Sequence, residues 1–227
     1  MSKAQRILEK QLAHVGCLAV LVLGVWGASR LPGFSEGRLL GLSTDGWAAL
    51  CVANAIAHQV FVWICWRLEL HAGALTRRLG ANAFASYAVV FAILICARPL
   101  LVSALAVSNA GTLPLDPTVA TTLSLVLALP LLYLGYSVRR YFGFRRAFGA
   151  DHFDPAYRDA KLVRAGIFRF TPNAMYVCGF FALWIPALLG RSVAACAIAL
   201  FSHLYIWVHY YCTEKPDMRV IYGSASE

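Results

Sequence analysis

Three short stretches near the C-terminus carry residue types that could do chemistry. They are residues 161–166, 173–176 and 214–223, which read KLVRAG, NAMY and EKPDMRVIYG. The second and third flank two apolar runs that are joined only by Gly190-Arg191. Both ends of such a hairpin lie on the same side of a membrane. The spacing therefore predicts a polar cluster at the bilayer surface beside an apolar slot, which suits a lipid substrate met by a soluble cofactor.

The composition indicates a polytopic membrane protein. Of 227 residues, 60% are hydrophobic and only 14% are charged, whereas soluble domains are nearer half apolar. The formal charge of +9 does not point to nucleic acid, because no nucleic-acid-binding motif accompanies it and the positive charge lies in loops between apolar runs. The seven cysteines show no metal-ligand spacing, so we predict no metal site.

About six apolar runs are long enough to position these residues. They cover residues 12–29, 46–66, 81–107, 118–138, 173–190 and 192–212. We predict an all-α bundle of membrane helices whose C-terminal hairpin frames a cytoplasm-facing cofactor site. Residues 1–134 would form a four-helix scaffold and residues 135–227 the functional core. Arg98-Pro99 interrupts the third run, and we expect a helix break there or a functional intramembrane charge.

Lysine and arginine counts predict the orientation. With an even number of crossings, the N-terminus, the second and fourth loops and the tail share one side, which holds sixteen basic residues against three on the other. By the positive-inside rule the sixteen are cytoplasmic. Residues 139–172 and the tail that begins at Glu214 are thus expected to face the same compartment.

The stretch from about residue 135 to residue 223 resembles a family of membrane methyltransferases. Its branches are the phospholipid N-methyltransferases and the isoprenylcysteine carboxyl methyltransferases. Lys161-Leu162-Val163 followed by Gly166 resembles the second branch, while Asn173-Ala174-Met175-Tyr176 and the Glu-x-Pro…Ile-Tyr tail resemble the first. Residues 135–227 are therefore expected to be a methyltransferase-like core.

Three positions depart from the family patterns. Ala174 stands where both branches have proline. Ser137 replaces the second glycine of a Gly-x-Gly element that begins at Gly135, and Lys215 replaces the second glutamate of Glu-Glu-Pro.

The resemblance implies S-adenosylmethionine as methyl donor. Glu214 is our choice to accept hydrogen bonds from the donor's ammonium or ribose hydroxyls. The cofactor-binding residues that we predict are Gly135, Ser137, Lys161, Val163, Asn173, Tyr176, Gly179 and Glu214. Asn173 and Tyr176 lie one helical turn apart and project from one face, so we also predict them as catalytic residues. His152, with Asp151 and Asp154 as alternatives, would assist deprotonation of an amine.

The cytoplasmic arginines are the predicted substrate-binding residues, because Arg matches phosphate oxygens in a bidentate way. They are Arg139, Arg140, Arg145 and Arg146. The leading hypothesis is a methyltransferase for the headgroup amine of phosphatidylethanolamine or its methylated derivatives, in a bacterial inner membrane or the endoplasmic reticulum. Alternatives are a carboxyl or thiol methyltransferase for a prenylated or other hydrophobic substrate, a non-catalytic scaffold and a small transporter. An oligomer is possible but not indicated.

Overall fold

Long apolar helices make up most of the molecule. This computed structural model describes residues 2–223, with only the backbone at residues 158 and 159. Five helical stretches in that range are long and apolar enough to cross a membrane: Lys3–Ala28, Thr44–Ala72, Ala74–Ser108, Pro117–Phe142 and Val193–Tyr222. A shorter apolar pair covers Ala174–Leu189. The predicted all-α architecture of an integral membrane protein is confirmed.

The elements follow one another with short connections. The helices of the first part are α1 (Lys3–Ile7), α2 (Gln11–Ala28), α3 (Thr44–Ala72), α4 (Ala74–Leu79), α5 (Ala83–Ser108) and α6 (Pro117–Ser137). Those of the second part are α7 (Phe144–Ala147), α8 (Ala174–Cys178), α9 (Phe181–Leu189), α10 (Val193–His209) and α11 (Lys215–Tyr222). The strands β1 (Arg38–Leu39) and β2 (Leu42–Ser43) form a two-residue antiparallel hairpin before α3.

Local side chains fix where the membrane helices begin. Asp116 accepts hydrogen bonds from the backbone N–H groups of Thr118 and Val119 at 2.8 and 3.2 Å, and Pro117 occupies the first turn of α6. In the same way Ser192 accepts from the N–H of Ala195 at 3.0 Å at the start of α10. Both caps satisfy N–H groups that a helix leaves without partners. They hold the α9–α10 turn and the α6 entry at defined positions.

Helix α10 lies at the centre of the bundle. Its Ala194, Ala195 and Ala199 are fully buried, as is Ala187 on α9. Small side chains let helix backbones approach closely, which is how helices commonly pack in a membrane. The predicted hairpin is therefore present as α8–α9 followed by α10, and it packs against α2, α3, α5 and α6. Residues before and after position 134 thus share one core.

The expected helix break at Arg98-Pro99 is wrong. Helix α5 continues from Ala83 to Ser108 with Pro99 inside it. A proline removes one N–H donor from a helix, and in a membrane helix neighbouring groups can satisfy the freed carbonyls. Arg98 is consequently held on a continuous helix and is 4% exposed.

A buried ion pair joins the end of α3 to the C-terminal tail. The Nε atom of Arg67, near the end of α3, lies 2.5 Å from Oδ1 of Asp217 on α11. Both side chains are essentially inaccessible to solvent. The Arg67 guanidinium also donates to the backbone carbonyls of Cys212 and Thr213 at 3.2 Å. These contacts fix the C-terminal tail on the end of α3.

Breaking this pair is expected to destabilise the fold. Asp217→Asn leaves the Arg67 charge buried without its counter-ion, which costs about 3–5 kcal/mol of unfolding free energy. Denaturant unfolding of the purified protein in detergent measures the change. The matched control is Glu36→Gln, which removes an exposed carboxylate and should stay within about 0.5 kcal/mol. Equal stability of the two variants would contradict the assigned role of the pair.

Candidate functional site

A polar cavity of about 480 Å³ lies where the segment after α6 meets the C-terminal tail. The segment consists of a π-turn (Val138–Phe142), α7 and short 3₁₀ turns at Ala150–His152, Pro155–Asp159 and Gly166–Arg169. The tail contributes a second π-turn (Tyr210–Glu214) and α11. Residues 139–172 and the tail, which the sequence predicted to share one side of the membrane, are thus in direct contact.

Glu214 and Asp151 contribute the carboxylates that line the polar cavity. Glu214 ends the π-turn that widens the helix between α10 and α11, and its side chain lines the cavity. Its Oε2 atom is buried and accepts no hydrogen bond from any residue in the range 2–223. A buried carboxylate oxygen without a donor is costly. This arrangement suits a ligand that brings its own N–H or O–H donor.

His152 is held between two carboxylates under an aromatic ring. Its Nδ1 lies 3.0 Å from Oδ1 of Asp151, and its Nε2 lies 3.5 Å from Oδ2 of Asp217. The ring stacks on Trp66 of α3 with 4.0 Å between centroids. Burial lowers the pKa of His152, but the two carboxylates outweigh burial and raise this pKa to about 9. His152 is therefore an imidazolium at neutral pH.

A second chain of hydrogen bonds leads from the tail to Asp151. The Tyr222 hydroxyl donates to Oδ2 of Asp151 at 2.8 Å and accepts from Nη2 of Arg146 at 3.1 Å. Burial raises the pKa of Asp151, yet its partners His152, Tyr222 and Arg146 hold the pKa of this carboxyl below its usual value. Asp151 is consequently ionised and fully engaged as an acceptor.

Asn173 and Tyr176 both line the polar cavity, as does Val163. Asn173 precedes α8, and its carbonyl accepts from the N–H groups of Tyr176 and Val177 at 2.9 and 3.1 Å. Ala174 is the first residue of α8 and is fully buried. Proline is well tolerated at a first helical position, so alanine and proline are compatible with the same local geometry there.

The other two departures also lie away from the polar cavity. Ser137 is fully buried, donates to the carbonyl of Tyr133 at 2.7 Å and accepts from the N–H of Ile167 at 3.0 Å. The bond from Ile167 positions the turn at Gly166, whose φ is +60°. A Cβ at Gly166 would lie 2.6 Å from the Ser137 hydroxyl, so the close packing there requires glycine. Lys215 instead lies over the Tyr211 ring at 5.6 Å.

An apolar cavity of about 450 Å³ adjoins the polar one. Gly135 and Gly179, predicted to bind the cofactor, line this apolar cavity and not the polar one. Four residues line both cavities and form their common wall, namely Trp66, Ala147, Met175 and Tyr176. The apolar cavity continues between α3, α5 and α6 toward Arg98.

The structure separates the predicted basic residues. Of the four arginines, Arg146 lines the polar cavity, where its Nη1 donates to the carbonyl of Lys161 at 3.2 Å. Lys161 itself is exposed and lines neither cavity. The remaining arginines of the set are exposed at the surface: Arg139, Arg140 and Arg145. Asp154 is also exposed and caps the turn at Ala156 with a 2.9 Å bond.

Sequence reasoning missed several residues of the site. Trp66 and Arg67 stand at the end of an apolar run with no motif around them, so nothing local distinguished them. Asp217 and Tyr222 lie inside the tail stretch that was singled out, but the sequence did not show which tail side chains point inward. Their roles depend on contacts with α3 and with Asp151.

Residues 119–225 match the family model of phospholipid methyltransferases. This part of the chain is similar to a phospholipid methyltransferase domain. Every residue that lines the polar cavity falls within the matched range, with the exception of Trp66. The apolar cavity, in contrast, takes much of its wall from α3 and α5, which lie before that domain.

Curated relatives carry a matching name. A protein of Malassezia globosa named phosphatidylethanolamine N-methyltransferase is 38% identical over 74 residues, which is 33% of this chain. Proteins of the same name from Lodderomyces elongisporus and Candida albicans are each 30% identical over 73 residues, or 32% of this chain. The matched segment spans only 8% of the length of each relative. No solved structure matches the chain significantly.

The raised pKa of His152 predicts a pH-dependent stability. A histidine whose pKa rises from 6.5 to about 9 on folding stabilises the fold fully below pH 6.5 and loses this contribution as the pH rises through 9. The gap in unfolding free energy between wild type and His152→Phe, which keeps a ring on Trp66, should shrink by about 3 kcal/mol from pH 6 to pH 10.

Unfolding curves in detergent across this pH range measure the gap. Taking the difference between the two proteins cancels the titration of groups outside this cluster. A gap that stays constant from pH 6 to pH 10 would show that the imidazolium is not held by Asp151 and Asp217.

Proposed function

We propose that this protein is an integral membrane methyltransferase that uses S-adenosylmethionine and acts on a phospholipid amine. The observation that carries the proposal is the pair of adjoining cavities, one polar with an unpartnered carboxylate at Glu214 and one apolar within the helices. The matched domain and the names of the relatives support the choice of a phospholipid. The substrate we propose is phosphatidylethanolamine or its partly methylated derivatives.

The polar cavity has the chemistry that the donor requires. The ammonium and ribose hydroxyls of S-adenosylmethionine donate hydrogen bonds. The buried Oε2 of Glu214 is an acceptor that receives no hydrogen bond from the described residues. Aromatic rings on the wall, such as Phe142, Tyr176 and Tyr210, suit a flat base and a sulfonium cation. We propose that Glu214, Asn173 and Tyr176 hold the donor there.

The common wall of the cavities is the proposed place of methyl transfer. When bound, the donor supplies an electrophilic methyl group, and no covalent enzyme intermediate is needed. The protein's work is then to hold the acceptor nitrogen in line and exclude water, which can contribute roughly 7–11 kcal/mol. Met175 and Tyr176 reach this place from α8, while Trp66 reaches it from α3.

His152 receives a positioning role in this proposal. At neutral pH it carries its proton and is enclosed by Asp151, Asp217 and Trp66, so it has no free lone pair to accept a proton from the amine. It instead fixes the ring of Trp66, which belongs to the common wall. Gly149 also packs directly against the Trp66 ring, because a Cβ at this position would overlap the ring.

The orientation of the site follows from charge. The polar cavity is built from the basic segment after α6 and from the tail, and the positive-inside rule supports a cytoplasmic location for both. We therefore propose that the donor enters from the cytoplasm and that the lipid enters from within the membrane.

Donor binding tests the role of Glu214. Wild-type protein in detergent should bind S-adenosylmethionine with micromolar affinity in calorimetry. Glu214→Gln keeps the shape but replaces one acceptor oxygen with an N–H donor, and should weaken binding by about 10- to 150-fold because a hydrogen bond to the charged ammonium of the donor contributes about 1.5–3 kcal/mol. Glu36→Gln is the surface control and should bind as the wild type does. A folded wild type that binds no donor would exclude the enzyme and favour a scaffold or a transporter.

Methyl uptake then tests the acceptor. Labelled methyl groups should pass from the donor to phosphatidylethanolamine in detergent micelles and yield more than background product. A prenylated cysteine peptide serves as the competing substrate. Uptake on the peptide alone would assign the carboxyl methyltransferase activity instead.

A further inference from the structure

The apolar cavity is lined in part by a cluster of polar side chains from the long apolar helices. His58 and Gln59 come from α3, Arg98 from α5 and His209 from α10, and all four line this cavity. Their exposed fractions are 4%, 1%, 4% and 2%, respectively. Such groups are costly inside a membrane and commonly serve a function.

Most polar atoms of this cluster have no partner. Within residues 2–223, both ring nitrogens of His58 and of His209, Nε2 of Gln59, and Nε and Nη1 of Arg98 make no hydrogen bond although they are buried. A protein rarely leaves so many buried polar atoms unsatisfied, and those of Arg98 and Gln59 are donors. The cluster is therefore arranged for a ligand that accepts hydrogen bonds.

The buried positive charge of Arg98 indicates that this ligand is an anion. Its Nη2 donates to the carbonyl of Ala55 at 3.1 Å, and its guanidinium lies 5.6 Å from the centre of the Phe180 ring. The ion pairs of the described residues involve Arg67 and His152, and none provides Arg98 with a carboxylate. A buried cation without a counter-ion is strongly unfavourable, and a bound anion would remove this cost.

The cluster extends away from the common wall. The ring of His209 lies 5.9 Å from that of Trp66, which lines both cavities. His58 lies eight residues before Trp66 on α3, about 12 Å along the helix axis. An anion bound here would be on the lipid side of the wall and close to it at His209.

We propose that Arg98, with His58, Gln59 and His209, binds the headgroup phosphate of the lipid substrate. This inference rests on the proposed function, because the phosphate of an ethanolamine lipid is four bonds from the nitrogen that accepts the methyl group. Three of the four residues lie outside the matched domain. The substrate would thus be selected by helices that precede the domain and not by the exposed arginines at positions 139, 140 and 145.

Retention of two lipids that differ only in the phosphate tests the site. Phosphatidic acid and the diacylglycerol with the same chains are added to the detergent-purified protein, and native mass spectrometry measures the bound fraction. Wild-type protein should retain phosphatidic acid at least tenfold more strongly. Arg98→Met should lose this preference, whereas Arg78→Gln, which removes an exposed arginine on α4, should keep it.

Two further variants protect the result against a folding defect. Arg98→Lys retains the charge and should recover part of the preference for phosphatidic acid. His58→Phe keeps Arg98 but removes a hydrogen-bond donor, so it should lower this preference less than Arg98→Met does. A preference that is unchanged in folded Arg98→Met would overturn the proposal. Inorganic phosphate that displaces phosphatidic acid and raises the unfolding temperature of the wild type, but not of Arg98→Met, would assign the site to the free anion and overturn the lipid assignment.

The outcome also separates this inference from the proposed function. Arg98 lines only the apolar cavity, whereas the donor is proposed to lie in the polar one, so Arg98→Met should keep the wild-type affinity for S-adenosylmethionine. Donor binding together with an unchanged lipid preference in Arg98→Met would reject the phosphate site alone. A lost preference in a protein that never binds the donor would reject the enzyme and leave the anion site standing.

Discussion

The buried ion pair between Arg67 and Asp217 is the constraint on which the polar cavity depends. An isolated charge in such an enclosed place would be strongly destabilising, so each group requires the other. The pair fixes the tail on the end of α3 and so places Glu214 at the cavity. The carboxylate of Asp217 also lies beside His152, and the His152 ring stacks on Trp66. A single electrostatic requirement therefore organises α3, the segment after α6 and α11 around one space.

The two adjoining cavities offer different environments, one with polar and charged side chains and one that is mainly apolar. A charged, water-soluble donor and a lipid cannot share one environment before they react, since the first requires polar partners and the second an apolar wall. Trp66 and Tyr176 belong to both walls, and both are large rings with one polar atom. Such side chains suit a boundary between polar and apolar regions.

The departures from the family patterns have local physical explanations. Ala174 occupies a first helical position, where a proline and an alanine both fit. Ser137 supplies the acceptor for the N–H of Ile167 and packs against Gly166. Lys215 lies over a tyrosine ring outside the cavity. None of these three residues lines the polar cavity.

The sequence by itself determined the all-α membrane architecture, the C-terminal hairpin and the stretches that meet at the polar cavity. Hydropathy and short motifs are local properties, and the bilayer allows few ways to bury a long apolar run. Only the tertiary structure decided which side chains share a cavity. It moved Gly135 and Gly179 to the apolar side, left Lys161 at the surface and brought Trp66 beside His152. These placements depend on how distant helices pack and pair their charges, which no local pattern encodes.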